Sequence, residues 1–209
     1  MRKILVYLVL LPLFGRLAAS QQTSRVEVFG GYSLEHVSAC GASGDTFLTC
    51  SQFIETGYSS PADYNGWNAS LTAFLYKTLG ITADFAGHYG TTAINGDGGP
   101  SATTSRYSFM AGPVAALRAR SFAPFAHALF GGVFNKFGSF ATGPEESANV
   151  PSYTKFAWAI GGGLDQSITR HLAVRWGQFD YERVGAPAAY SSYPSVSGFR
   201  FSAGIVLRP

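Results

Sequence analysis

Apolar and polar residues alternate one by one between Trp67 and Tyr76, and this period of two constrains the fold more than any other feature. Successive side chains of a β-strand point to opposite faces, so the alternation predicts a strand with one apolar face. The same pattern recurs along the chain and predicts eight strands. They run from Arg25 to Leu34, Trp67 to Tyr76, Ile81 to Tyr89, Ser105 to Leu117, Pro124 to Phe134, Tyr153 to Leu164, His171 to Glu182 and Gly198 to Leu207.

Composition agrees with an all-β chain. Of 209 residues, 13% are charged and 15% aromatic, and 25 are glycine. Helical bundles require more Ala, Leu, Glu, Lys and Arg, and disordered chains carry more charge, so both classes are excluded. After residue 20 no apolar run approaches the length of a membrane-spanning helix.

The first twenty residues have the three parts of a secretory signal peptide. Basic Arg2 and Lys3 precede an apolar run, and the small residues Ala18-Ala19-Ser20 form a cleavage site. Cleavage between Ser20 and Gln21 is predicted, so that residues 21–209 form one domain. Without the three basic residues of this segment the chain has as many acids as bases, which gives no electrostatic reason to expect a nucleic-acid partner.

Connections between the predicted strands alternate in length. Long ones follow the first, third, fifth and seventh strands, and short ones follow the second, fourth and sixth. This alternation indicates an up-and-down meander with its long loops at one end.

The two faces of these strands differ in polarity, and this difference indicates which face points out of the barrel. One face carries large apolar groups such as Phe85, Phe109 and Ile160, and the other carries most of the charges. A closed antiparallel barrel in a bilayer accommodates both faces, because lipid covers the apolar exterior and the polar face lines the lumen. The sequence therefore predicts an eight-stranded antiparallel transmembrane β-barrel.

Several segments carry a resemblance to a known family. They are the hairpin Asn65 to Tyr89, the segments Phe109 to Pro113 and Gly161 to Asp165, and the closing strand Gly198 to Leu207. The chain resembles the small eight-stranded outer-membrane barrels of the OmpA-like, OmpX-like and opacity-protein-like group. The resemblance implies a bacterial outer membrane, contact with its lipid, insertion by the barrel assembly machinery and long loops at the cell surface able to contact an extracellular ligand.

The charges on the inward face form the candidate site. An eight-stranded lumen is only as wide as its side chains, so we expect a structural network of ion pairs rather than an active site, with no cofactor and no metal. Large groups at Phe29, Phe74, Tyr76 and Met110 are expected to fill the remaining space. The predicted network comprises Glu27, Asp84, His88, Arg106, Arg175 and Arg200, with Asp180 as a further candidate.

These expectations favour a non-enzymatic surface protein with a structural, adhesive or other interaction role. A narrow channel for small solutes is the alternative, and a lipid A modifying enzyme is the second alternative. For an enzyme, the closest approach to a catalytic arrangement is His36-Val37-Ser38 with Glu35, at the start of the first long loop.

The two cysteines, Cys40 and Cys50, both lie in the first long loop. An even number of cysteines in an exported chain favours a disulfide, which would restrict this loop. We therefore predict that folded protein does not react with an alkylating reagent until it is reduced, as measured by mass spectrometry. Labelling of both thiols without reductant would contradict the disulfide.

Overall fold

The computed structural model describes residues 25–38, 62–93, 101–118, 121–138, 140–141, 147–148, 152–185 and 196–209. These residues form ten strands and no helix long and apolar enough to span a membrane. The strands are β1 Val26–Ser38, β2 Ala62–Phe74, β3 Leu79–Ala93, β4 Ser101–Ala116, β5 Phe122–Phe137, β6 Phe140–Ala141, β7 Ser147–Ala148, β8 Tyr153–Ser167, β9 Leu172–Val184 and β10 Val196–Leu207.

Eight of these strands close into one antiparallel barrel. Its order is β1-β10-β9-β8-β5-β4-β3-β2, so each strand pairs with its neighbours along the chain and β1 closes the ring against β10. The short strands β6 and β7 pair with each other outside the barrel sheet, in the connection between β5 and β8. Closure leaves the barrel without an edge strand, which confirms the predicted fold class.

The barrel is apolar outside and polar inside. Side chains such as Phe85, Phe130 and Ile160 are at least half exposed on the outer face. Between them, inward residues such as Asp84 and Arg200 are almost fully buried. The exterior therefore matches the hydrocarbon of a bilayer, which is the orientation that the two faces of the sequence predict.

Apolar side chains also fill parts of the lumen. Phe29 packs with Ala173 and Val206. A second cluster contains Phe74, Val114 and Ala116, with Phe125 against it. The largest cluster consists of Met110, Leu129, Val133, Ala157, Ala159 and Val184.

Two sequence predictions need correction. The strands extend further toward the long connections than the pattern indicated: β1 ends at Ser38 rather than Leu34, because its pairing with β2 and β10 continues past that residue. Tyr76 was expected to point into the lumen, but β2 ends at Phe74 and Tyr76 lies in the turn, 72% exposed. Strand parity no longer applies once the chain enters the turn.

In β9 the alternation of the sequence slips near Gly177-Gln178, which predicts a β-bulge that lets both Trp176 and Phe179 point outward. The pairing of β9 with both β8 and β10 shifts by one residue around Trp176 and Gly177. Trp176 and Phe179 consequently both lie exposed on the outer face. This confirms a β-bulge at the point where the alternation slips.

A charge placed on the outer face tests the lipid-facing orientation. Ile160 lies midway along β8 and is 56% exposed. We expect Ile160→Arg to lower the free energy of unfolding in lipid vesicles by about 2–4 kcal/mol, because the charge would enter hydrocarbon. Leu207→Arg, at the end of β10, should cost about 1 kcal/mol or less. Urea titration of gel mobility measures both, and equal costs at the two positions would contradict the orientation.

Candidate functional site: the charged lumen

Charged side chains are concentrated inside the barrel. Six carboxylates, four guanidiniums and two imidazoles are buried there, each less than 9% exposed. Taking such groups out of water is costly unless each one finds a partner of opposite charge or a hydrogen bond. They are Glu27, Glu35, Asp84, Asp165, Asp180, Glu182, Arg106, Arg175, Arg200, Arg208, His88 and His127.

Arg200 lies at the centre of this network and has no exposed surface. Its Nη1 is 2.8 Å from Asp84 Oδ1, and its Nη2 donates to Asp180 Oδ2 at 2.7 Å. Its Nε donates to the same Asp180 oxygen at 3.0 Å. Strands β3, β9 and β10 are therefore joined across the lumen by one guanidinium between two carboxylates.

Asp180 collects further contacts around that guanidinium. His127 Nε2 lies 2.7 Å from Asp180 Oδ1, and Gln178 Nε2 donates to Asp180 Oδ2 at 2.7 Å. Asp84 is held in turn by Asn68, whose Nδ2 donates to Asp84 Oδ2 at 2.9 Å. These partners supply hydrogen bonds in place of those to water that the carboxylates lose on burial.

A second group of ion pairs lies nearer the long connections. Arg106 donates from Nε to Glu35 Oε1 at 2.8 Å and from Nη2 to Glu182 Oε1 at 2.5 Å. His88 Nδ1 lies 3.1 Å from the other oxygen of Glu35. Arg106 thereby joins β4 to β1 and β9.

A third group lies nearer the short turns. Glu27 Oε1 accepts from Arg118 Nη2 at 2.7 Å and from Arg208 Nε at 2.8 Å. Arg175 donates to both oxygens of Asp165, at 2.8 and 3.1 Å. Its guanidinium also lies between the rings of Phe29 and Phe125, 4.3 and 4.2 Å from their centroids. Ion pairing and cation–π contacts together hold this end of the lumen.

Little space remains between these side chains. A cavity of about 20 Å³ lies toward the short turns, lined by Glu27, Arg118, Asp165 and Arg175 among others. A cavity of this volume has room for one or two water molecules. Within the described part of the chain, the lumen is therefore a packed and paired interior.

One part of the network has the arrangement of a hydrolase triad. Ser33 Oγ is 2.9 Å from His88 Nε2, and His88 Nδ1 is 3.1 Å from Glu35 Oε2. Catalysis also requires that a substrate reach the serine, but Ser33 is 0% exposed and its hydroxyl contacts Ser202 Oγ at 2.9 Å. The arrangement therefore serves the packing of the lumen.

The sequence-level catalytic candidate is not assembled. His36 points out of the barrel, and its Nδ1 lies 2.6 Å from Asp63 Oδ1. Glu35 points into the lumen toward Arg106 and His88. Adjacent residues of a strand face opposite sides, so Glu35 cannot orient the His36 imidazole.

The structure places all six residues of the predicted network in the lumen, and Asp180 with them. It also places there charged residues that sequence analysis missed, namely Glu35, Asp165, Glu182 and Arg208. Strand parity could have identified two of them. Residues two apart in a strand face the same side, and Glu35 lies two residues after Ser33 and Glu182 two after Asp180. Ser20, Gln21, Cys40 and Cys50 lie outside the described residues. Within those residues, no group of three or more His, Cys, Asp or Glu could hold a metal ion.

Removing the central carboxylate tests the importance of pairing. We expect Asp180→Ala to lower the free energy of unfolding by about 3–5 kcal/mol, because it leaves Arg200 with one carboxylate, Asp84, in a low-dielectric interior. Asp63→Asn removes an exposed carboxylate and should cost at most about 0.5 kcal/mol. Both are measured by urea unfolding in vesicles, and an unchanged midpoint for Asp180→Ala would show that pairing at this residue contributes nothing.

Comparison with protein-family models and with curated protein sequences finds no match. Solved structures do match. Neisserial surface protein A superposes with a TM-score of 0.60 at 16% identity, covering 89% of this chain and 98% of that one. Ail, the attachment invasion locus protein of Yersinia pestis, gives 0.52 at 17% identity, covering 88% and 99%. OprG of Pseudomonas aeruginosa gives 0.53 at 10% identity, covering 88% and 95%. The chain thus has the fold of the small eight-stranded bacterial outer-membrane barrels.

Proposed function

We propose that this protein is a non-enzymatic outer-membrane barrel whose lumen is a structural plug and whose long connections contact partners outside the cell. The observation that carries the proposal is the lumen, where paired charges span the barrel and leave a cavity for one or two waters. The proposal includes a signal peptide at residues 1–20 that directs export and is cleaved between Ser20 and Gln21.

The same observation argues against a channel. An ion crossing the lumen would have to pass Arg200, which contacts carboxylates on two other strands. Displacing that guanidinium would break both of its ion pairs in a low-dielectric interior, which is costly. Such a lumen is suited to holding strands together.

Conductance measurements distinguish a plug from a channel. We expect the folded protein to show no stable openings in planar lipid bilayers at neutral pH. Asp180→Ala combined with Arg200→Ala removes the central plug and should produce brief openings, which shows that the assay detects this barrel. Frequent, stable openings of the unmodified protein would contradict the plug and support the channel for small solutes.

The long connections limit the chemistry of a partner. Residues 39–61, 94–100, 138–152 and 185–195 contain five acids and no lysine or arginine. Ail has been crystallised with the heparin analogue sucrose octasulfate, at a TM-score of 0.50 and 17% identity to this chain. A sulfated polyanion would be repelled by acidic connections, so we propose a partner surface that presents lysine and arginine.

Charge removal in the connections tests this partner class. The five acids are Asp45, Glu55, Asp97, Glu145 and Glu146. Cells displaying the protein should adhere to a surface coated with a lysine-rich peptide and not to immobilised heparin. Replacing the five acids by Asn or Gln should reduce that adhesion several-fold, and 0.5 M salt should do the same because exposed charges are screened. Adhesion to heparin, or adhesion unaffected by the five replacements, would contradict the proposal.

A further inference from the structure

The short-turn end of the barrel carries a rim of exposed basic residues. Arg25 precedes β1, Lys77 lies in the turn between β2 and β3, and Arg170 lies in the turn between β8 and β9, and all three are exposed. We call these three residues the basic rim. Because the turns lie at different strand pairs, the rim distributes positive charge around the circumference of the barrel.

The acids at this end do not neutralise the rim. Glu27 and Asp165 are buried, and they are already paired with Arg118, Arg208 and Arg175. No other Asp or Glu of the described residues lies at this end. The positive charge of the rim is therefore available to an external anion.

Apolar residues place the rim at a defined depth. Leu75 and Tyr76 directly precede Lys77 in the sequence and are 68% and 72% exposed. Ile168 lies two residues before Arg170 and is 54% exposed. Exposed aliphatic and aromatic groups beside basic groups are typical of a membrane interface, where the apolar part enters hydrocarbon and the charge reaches the headgroups.

The turns are also too short to project far from the bilayer. Only residues 75–78 separate β2 from β3, and residues 168–171 separate β8 from β9. The apolar exterior continues to Leu79 and Leu207 at the strand ends, each 53% exposed. The rim therefore lies directly beyond the apolar belt, at the level of lipid phosphates.

We propose that the basic rim binds the phosphate groups of anionic phospholipids in the leaflet at the short-turn end. The inference rests on the proposed location of the barrel in the outer membrane. A cell-wall polymer would need a surface that projects into the aqueous space, whereas this rim lies on tight turns among apolar side chains. An acidic headgroup such as phosphatidylglycerol fits both the charge and the depth.

Quenching of a tryptophan near the rim by brominated lipid measures the selectivity. Trp176 lies on the outer face of β9, four residues after the strand begins at Leu172. In a Trp67→Phe, Trp158→Phe background it reports on neighbouring lipid. In phosphatidylcholine vesicles containing phosphatidylglycerol, we expect brominated phosphatidylglycerol to be about fivefold enriched over brominated phosphatidylcholine around Trp176.

Three matched variants assign that selectivity to the rim. Replacing all three rim residues by Gln should reduce the enrichment to about onefold. The charge-preserving set Arg25→Lys, Lys77→Arg and Arg170→Lys should retain it. Lys136→Gln removes an exposed charge at the other end of the barrel and should also retain it.

The outcomes separate this inference from the proposed function. Heat-modifiable gel mobility first establishes insertion, and failure to insert would overturn the outer-membrane location itself. An inserted protein with no enrichment, or with enrichment that survives the three Gln replacements, overturns only the lipid site. If the Gln variant instead loses sedimentation with purified cell-wall sacculi while lipid enrichment is unchanged, the rim binds the cell wall and the lipid proposal is wrong.

Discussion

The contact of Arg200 with Asp84 and Asp180 is the interaction on which the rest of the lumen depends. An eight-stranded barrel encloses a space only as wide as its side chains, so a charge pointing inward meets other side chains instead of bulk water. Arg200 has no exposed surface and contacts carboxylates from two other strands. The barrel can keep these charges because the strand register brings both carboxylates within 2.8 Å of the Arg200 guanidinium.

Small residues make room for this arrangement. Gly161 on β8 pairs with Asp180 on β9, and a Cβ at Gly161 would collide with the Asp180 carboxylate. The Gly161-Gly162-Gly163 run is thus explained by close packing against the neighbouring strands. The absence of a side chain at Gly161 therefore leaves the space that the buried Asp180 carboxylate occupies.

Strand parity made the barrel and much of its lumen predictable from sequence. A period of two identifies the inward face, so Asp84, His88 and Arg106 could be placed without coordinates. Residues at strand ends were harder, because Glu35 lies one residue after the end of the predicted first strand and Arg208 lies one residue after the end of β10. Tyr76 was misplaced for the same reason, since it follows the end of β2.

The pairing partners could not be read from the sequence. Arg106 contacts Glu35 and Glu182, which are 71 and 76 residues away along the chain. Such contacts depend on barrel closure, strand tilt and side-chain length, and a local pattern contains none of these. The arrangement of Ser33, His88 and Glu35 is a further contact set of this kind. Its geometry resembles a catalytic triad, but it arises from packing, and its burial separates it from any substrate.

A double-mutant cycle between Asp180 and Arg200 tests the central claim most directly, by measuring the coupling energy of the pair in lipid vesicles. If mutual pairing sustains these buried charges, Asp180→Ala with Arg200→Met should cost less than the sum of the two single changes by about 2–3 kcal/mol, since each single change already removes the same ion pair. Costs that add to within about 0.5 kcal/mol would show that the two residues act independently, and would contradict an interior held together by ion pairing.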